Sequence, residues 1–166
     1  MATYDPIATS TLGSAAQTFT FTNIPQTYTD LIVIVDGISS GGVDNFCMRF
    51  NNDSANNYSG TLVEGNGSSS TGYRTWNTGQ IVTALYYSSV SSTYRSIARF
   101  EINNYTSTNM HKNVIVRSHG PGTGDKIGAA VWRPTTPVAI TRIDVFNGSL
   151  NFAAGATCTI WGIKAA

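Results

Sequence analysis

Five consecutive apolar residues, Leu31, Ile32, Val33, Ile34 and Val35, stand between Asp30 and Asp36. Four of the five are β-branched, and such side chains suit a pleated strand better than a helical turn. The run is short and closes on Asp36-Gly37, so it reads as a buried strand. A strand with one wet face alternates apolar and polar residues. This one does not, which predicts cover on both of its faces. Val114, Ile115 and Val116 form a second fully apolar run. A simple sandwich covers one face of each sheet, so these eight residues are the candidate interface with another chain. An exposed patch of several apolar side chains usually marks such a contact. Each buried Leu, Ile or Val contributes on the order of 1.5–3 kcal/mol, so hiding a handful favours a permanent oligomer.

The rest of the chain is punctuated in the same short units. Gln17-Thr-Phe-Thr-Phe21 alternates strictly, with Phe19 and Phe21 on one side and Thr18 and Thr20 on the other. Phe46, Met48 and Phe50 alternate with Cys47 and Arg49 and are expected to point inward. Further strands are predicted over residues 7–12, 58–64, 73–76, 80–87, 94–103, 112–118, 127–133, 139–146 and 156–164. In the 94–103 segment Ile97 and Arg99 oppose Ala98 and Phe100, and the pattern leaves the register open. Asn-rich turns at 51–57 and 104–109 and Gly-rich loops at 37–42, 65–72 and 120–124 separate the segments. Residues 80–119 contain neither Gly nor Pro, but the Ser-rich stretch at 88–93 is a poor helix former. About ten short strands with turn signals between them and little or no helix predict one all-β domain over 1–166, an antiparallel β-sandwich or jelly roll.

Charge is scarce. Ten Lys and Arg and nine Asp and Glu give a net charge of +1, and charged residues are 11% of the chain against a usual quarter or so. The basic residues are scattered singly, which argues against nucleic-acid binding. No apolar stretch is long enough to span a membrane, and the first residues lack the basic start and apolar core of a signal peptide. Cys47 and Cys158, far apart, are expected to be buried free thiols.

The motifs that carry chemistry reduce to loops. Gly37-Ile-Ser-Ser-Gly41 has the letters of a nucleophile elbow but leads into another strand rather than a helix. Residues 120–126 lack the spacing of a phosphate loop. His111 and His119 offer no metal-ligand spacing, and no cofactor is implied. Asp44, Asn51 and Asp53 could supply oxygens to calcium, although Asn-rich turns use the same groups on local backbone. No pair of carboxylates suits glycoside hydrolysis. Five Asn-x-Ser/Thr triplets, at Asn52, Asn57, Asn66, Asn104 and Asn147, follow from composition. Trp76, Tyr86, Tyr87 and Trp132 could form a sugar-stacking face or belong to the core or a subunit interface.

Several segments in order carry a resemblance: Tyr4-Asp-Pro-Ile-Ala-Thr-Ser-Thr-Leu-Gly13, Ile24-Pro-Gln-Thr-Tyr-Thr-Asp-Leu31, Arg49-Phe-Asn-Asn-Asp53 with Asn57-Tyr-Ser59, Asn103-Asn-Tyr-Thr106, Val131-Trp-Arg133 and Ala156-Thr-Cys-Thr-Ile-Trp-Gly-Ile-Lys164. The chain resembles, nearly end to end, small virion structural proteins of tailed bacteriophages, cyanophages included, of the capsid cement (decoration) or tail-fibre type. The resemblance implies a jelly-roll fold, a homotrimer and no catalysis, and it transfers no active-site residue. The expectation is a non-enzymatic cement protein on the capsid surface, assembled in the host cytoplasm, with itself and the major capsid protein as partners and neither nucleic acid nor membrane. A tail or fibre component and a carbohydrate-binding module are the alternatives.

Overall fold

The structure, a computed structural model, describes residues 3–83, 90–120 and 124–164. Among these residues there are twelve strands and no helix. In chain order they are β1 (Thr3–Thr11), β2 (Thr18–Phe21), β3 (Asp30–Gly37), β4 (Phe46–Phe50), β5 (Tyr58–Gly65), β6 (Ser70–Thr78), β7 (Ile81–Val82), β8 (Ser96–Asn103), β9 (Lys112–Gly120), β10 (Gly124–Trp132), β11 (Ile143–Asn147) and β12 (Thr157–Lys164). Eight form a large sheet in the order β1-β12-β3-β8-β9-β10-β5-β6, and four form a small sheet in the order β2-β11-β4-β7. Every pairing between them is antiparallel.

One apolar core joins the sheets. Leu31, Val33 and Val35 of β3, Phe100 of β8, and Val114 and Val116 of β9 contribute from the large sheet. Phe19, Phe21, Met48, Phe50, Ile143 and Val145 contribute from the small one. Phe152 ties the core together, its ring 5.4 Å from Phe19 and 5.9 Å from Phe46. The alternation expected at Phe19 and Phe21, and at Phe46, Met48 and Phe50, is the one observed. In β8 the open register resolves with Ala98, Phe100 and Ile102 buried and Ile97 and Arg99 turned outward.

The central strand departs from its expected symmetry. Alternation sends Leu31, Val33 and Val35 into the core but Ile32 and Ile34 to the opposite face. Segment boundaries differ as well. Half of the expected loop at 65–72 is strand, because β5 runs to Gly65 and β6 begins at Ser70, its pairing partner. Asn66 makes that hairpin tight, its side-chain oxygen accepting hydrogen bonds from the backbone of Ser68 and Ser69. The strand expected over 80–87 is β7 alone within the described residues, and Tyr86 and Tyr87 lie outside them. β1 starts earlier than expected, with Pro6 inside it. A Pro is tolerated there because β1 is an edge strand, and its register shifts between Pro6 and Ala8.

The corner between β4 and β5 shows why the Asn-rich turn forms. Asn51 and Asn52 both take positive φ, 51° and 58°, and Asp53 N–H donates to the Phe50 carbonyl at 2.9 Å. The Asp53 carboxylate accepts from Trp132 Nε1 (2.7 Å), Asn57 Nδ2 (2.9 Å) and the Ala55 amide (2.9 Å). Tyr58, fully buried, donates its hydroxyl to the Asp53 carbonyl at 3.1 Å. At the opposite end of the large sheet the Tyr28 ring lies flat on Gly162, where a Cβ would fall 2.3 Å from the ring, and Lys164 Nζ sits 5.2 Å from the ring centroid.

Candidate functional site

Eight strands face four, and the small sheet lies on one side of the large one. The outward face of the large sheet can be read row by row from its registers. One row runs Trp161, Ile32, Glu101, Ile115, Ala129 and Thr61. The next runs Thr159, Ile34, Arg99, Arg117, Ile127 and Val63. The outermost joins Asp36, Ile97, His119 and Asp125. A solvated face of an antiparallel sheet is ordinarily polar. Here Ile127, Val63 and Ile97 expose 54%, 48% and 46% of their surface, beside half-buried Ile34, Ile115 and Trp161.

Around those three exposed residues the face dips into a groove of about 520 Å³ across β8, β9, β10 and β5. Arg99, Arg117, His119, Asp125 and Lys126 are the titratable residues of its lining. The two arginines are direct cross-strand partners. A single carboxylate lies between them: Glu101 Oε1 is 3.1 Å from Arg99 Nε and 3.2 Å from Arg117 Nη2. Both contacts are ion pairs without hydrogen-bond alignment: Arg99 Nε and Glu101 Oε1 are each shielded from solvent and each without an aligned partner among the described residues. His119 Nδ1 lies 2.7 Å from Asp125 Oδ1.

The eight residues expected at an interface therefore divide. Leu31, Val33, Val35, Val114 and Val116 are enclosed by the chain's own second sheet, because alternation within each strand turns them inward. Ile32, Ile34 and Ile115 lie on the outward face, where neighbouring side chains already bury Ile32 and half-bury the other two. Sequence reasoning missed Val63, Ile97 and Ile127. Their signal was present in the outward half of strands whose other half is apolar, but it emerges only once the pairing of β5, β8 and β10 around β9 is known.

The remaining candidates have structural partners. Asp44 accepts from the amides of Asn45, Ser149 and Leu150, and Asn51 Oδ1 from those of Thr141 and Arg142. With Asp53 bound to Trp132 and Asn57, the three possible calcium ligands serve separate turns rather than one site. Among the described residues no three His, Cys, Asp or Glu side chains gather as metal ligands. Ser39 of the elbow-like loop is buried and accepts from Asn147 Nδ2 at 3.1 Å. Trp132 is buried in the core, so it offers no sugar platform, whereas Trp76 is 61% exposed with the Arg133 guanidinium 4.9 Å from its ring centroid. Cys47 and Cys158 are free and buried, and burial pushes the Cys47 thiol up to about 12 and the Cys158 thiol up as well.

No protein-family model matches the chain, and no curated protein matches it. Among solved structures, the chain is similar to a crystal structure of a protein of unknown function from Shewanella oneidensis. That likeness covers 99% of this chain and 77% of the other at 10% identity and a TM-score of 0.38, too distant to carry any argument.

Proposed function

We propose that this chain is a non-enzymatic structural protein of a tailed-bacteriophage virion: a capsid cement protein that binds the lattice of the major capsid protein as a homotrimer. The observation that carries this reading is the broad, partly apolar outward face of the large sheet. A face of this kind suits a subunit that is covered by neighbours in its working state. The sparse charge and the Ser, Thr and Asn surface suit close packing on a repeated lattice, where strong fields of one sign would repel. A jelly-roll topology fits a chain that passes repeatedly between sheets: β1, β3 and β5 lie in the large sheet, β2 and β4 in the small one. The resemblance of the quoted segments to phage structural proteins supplies the virion context. A tail or fibre component is the second reading, since the same face would serve there.

The test is stoichiometry in purified particles. Quantitative gel staining of virions is expected to show the chain at hundreds of copies, in a fixed ratio to the major capsid band. A few copies per particle would move it to the tail, and its absence from particles would overturn both readings.

A further inference from the structure

The chain holds two Asn-Gly dipeptides, Asn66-Gly67 and Asn147-Gly148, and the fold treats them in opposite ways. Asparagine before glycine carries a reaction of its own. The glycine nitrogen can attack the asparagine Cγ, because no Cβ on the glycine crowds the approach. Three groups decide the outcome: the nitrogen that attacks, the carbonyl oxygen that gains charge and the amide nitrogen that leaves.

At Asn147 the reacting nitrogens are held. The residue is fully buried, and its Nδ2 donates to Ser39 Oγ at 3.1 Å and to the Asn151 carbonyl at 3.0 Å. Gly148 N–H donates to the Asn45 carbonyl at 2.9 Å. Asn66, at the tip of the β5–β6 hairpin, is the reverse. It and Gly67 are exposed, and among the described residues neither Gly67 N–H nor Asn66 Nδ2 has a hydrogen-bond acceptor. Asn66 Oδ1 instead gathers four donors: the amides of Ser68 and Ser69 at 3.0 and 2.9 Å, and their hydroxyls at 3.0 and 3.2 Å. Donors already aimed at an oxygen that gains negative charge stabilise the tetrahedral intermediate.

We propose that Asn66 is a site of spontaneous modification, converting through a cyclic imide into aspartate and isoaspartate. Gly67 N gives its proton to solvent and bonds to Asn66 Cγ. The Cγ–Nδ2 bond breaks, and Nδ2 takes up a proton and leaves as ammonia. Water then opens the ring at either carbonyl, giving the ordinary aspartyl linkage or the β-linked one. Either product adds one negative charge and takes the formal net charge from +1 to zero, a condition that favours association. The β-linked product also lengthens the main chain inside the turn that sets the Gly65–Ser70 pairing. None of this depends on the virion reading.

The test is peptide mapping of the full chain by mass spectrometry after incubation in mildly alkaline buffer, native and in urea. In the native chain the peptide containing Asn66 is expected to convert into aspartyl and isoaspartyl forms, the latter detected by enzymatic methylation. Asn147 is expected to keep its amide in the native chain and to lose it only in urea. Isoelectric focusing is expected to show an acidic shift of one charge that Asn66→Ser lacks. The map reads both sites in the parent chain, so the test stands even if that variant fails to fold. A native Asn66 that stays intact while Asn147 converts in urea would overturn the proposal. Conversion without isoaspartate would remove the cyclic imide, and native Asn147 converting as fast as Asn66 would remove the role of the fold. An acidic shift that persists in a folded Asn66→Ser would place the reaction elsewhere.

Discussion

At the residue scale, the most connected group is the Asp53 carboxylate. Burial alone would raise its pKa, but hydrogen bonds from Asn57, Trp132 and the Ala55 amide outweigh burial and hold it below the usual carboxylate value. A carboxylate with a depressed folded-state pKa stabilises the protein above its unfolded pKa, near 3.9, and that contribution is lost as pH falls through the lower folded value. Asp53→Ala is therefore expected to cost about 1–3 kcal/mol near neutral pH, since it strands the buried Trp132 N–H. Urea titrations of the variant and parent at pH 7 and pH 3 check this, and the difference between them is expected to shrink at the lower pH. The two cysteines give a second measurement at this scale. A thiol held protonated by burial is a poor nucleophile. Neither Cys47 nor Cys158 is expected to react with a thiol-specific chromophore at pH 8 until denaturant is added, and rapid labelling of the native chain would contradict their placement.

At the scale of elements, Gly162 shows how one position sets the packing of a strand. The Tyr28 ring occupies the space of its missing side chain, so Gly162→Val is expected to displace Tyr28 and to destabilise the chain by about 1–3 kcal/mol. A thermal melt measures the loss, and tyrosine fluorescence reports the displaced ring. Elements of this kind were legible in the sequence to different degrees. Phe46–Phe50 was placed to the residue because strict alternation and the bounding turns agree there. β6 was placed too short because its first residues are Ser, Thr and Gly. Their strand geometry comes from pairing with β5 rather than from propensity. The central run at 31–35 was recognised as a strand, but its continuous apolarity hid the fact that its two faces have different neighbours. The groove was the least legible feature, because Val63, Ile97, Arg99, Arg117 and Ile127 meet only through the pairing of four strands distant in sequence.

At the scale of the whole molecule, the division between an enclosed core and an open face separates two kinds of substitution. Val33→Asp places a charge inside the shared core, where no counterion is at hand, and is expected to leave the chain unfolded by circular dichroism. Ile34→Asp, on the outward face, is expected to keep the fold and to lower the oligomeric mass seen in light scattering. Unchanged mass in a folded Ile34→Asp would take self-association away from this surface. The two ends of the large sheet extend the same logic to growth. β1 presents an edge broken by Pro6 and its neighbouring irregularity, whereas β6 presents an unbroken stretch over residues 70–75. Joining β6 of one chain to β1 of the next would meet the imide nitrogen of Pro6, which has no hydrogen to give. Joining β6 to β6 terminates after two chains. Concentrated solutions are thus expected to yield finite particles and no ribbons by negative-stain microscopy, a protection against runaway polymerisation that costs the chain only one proline.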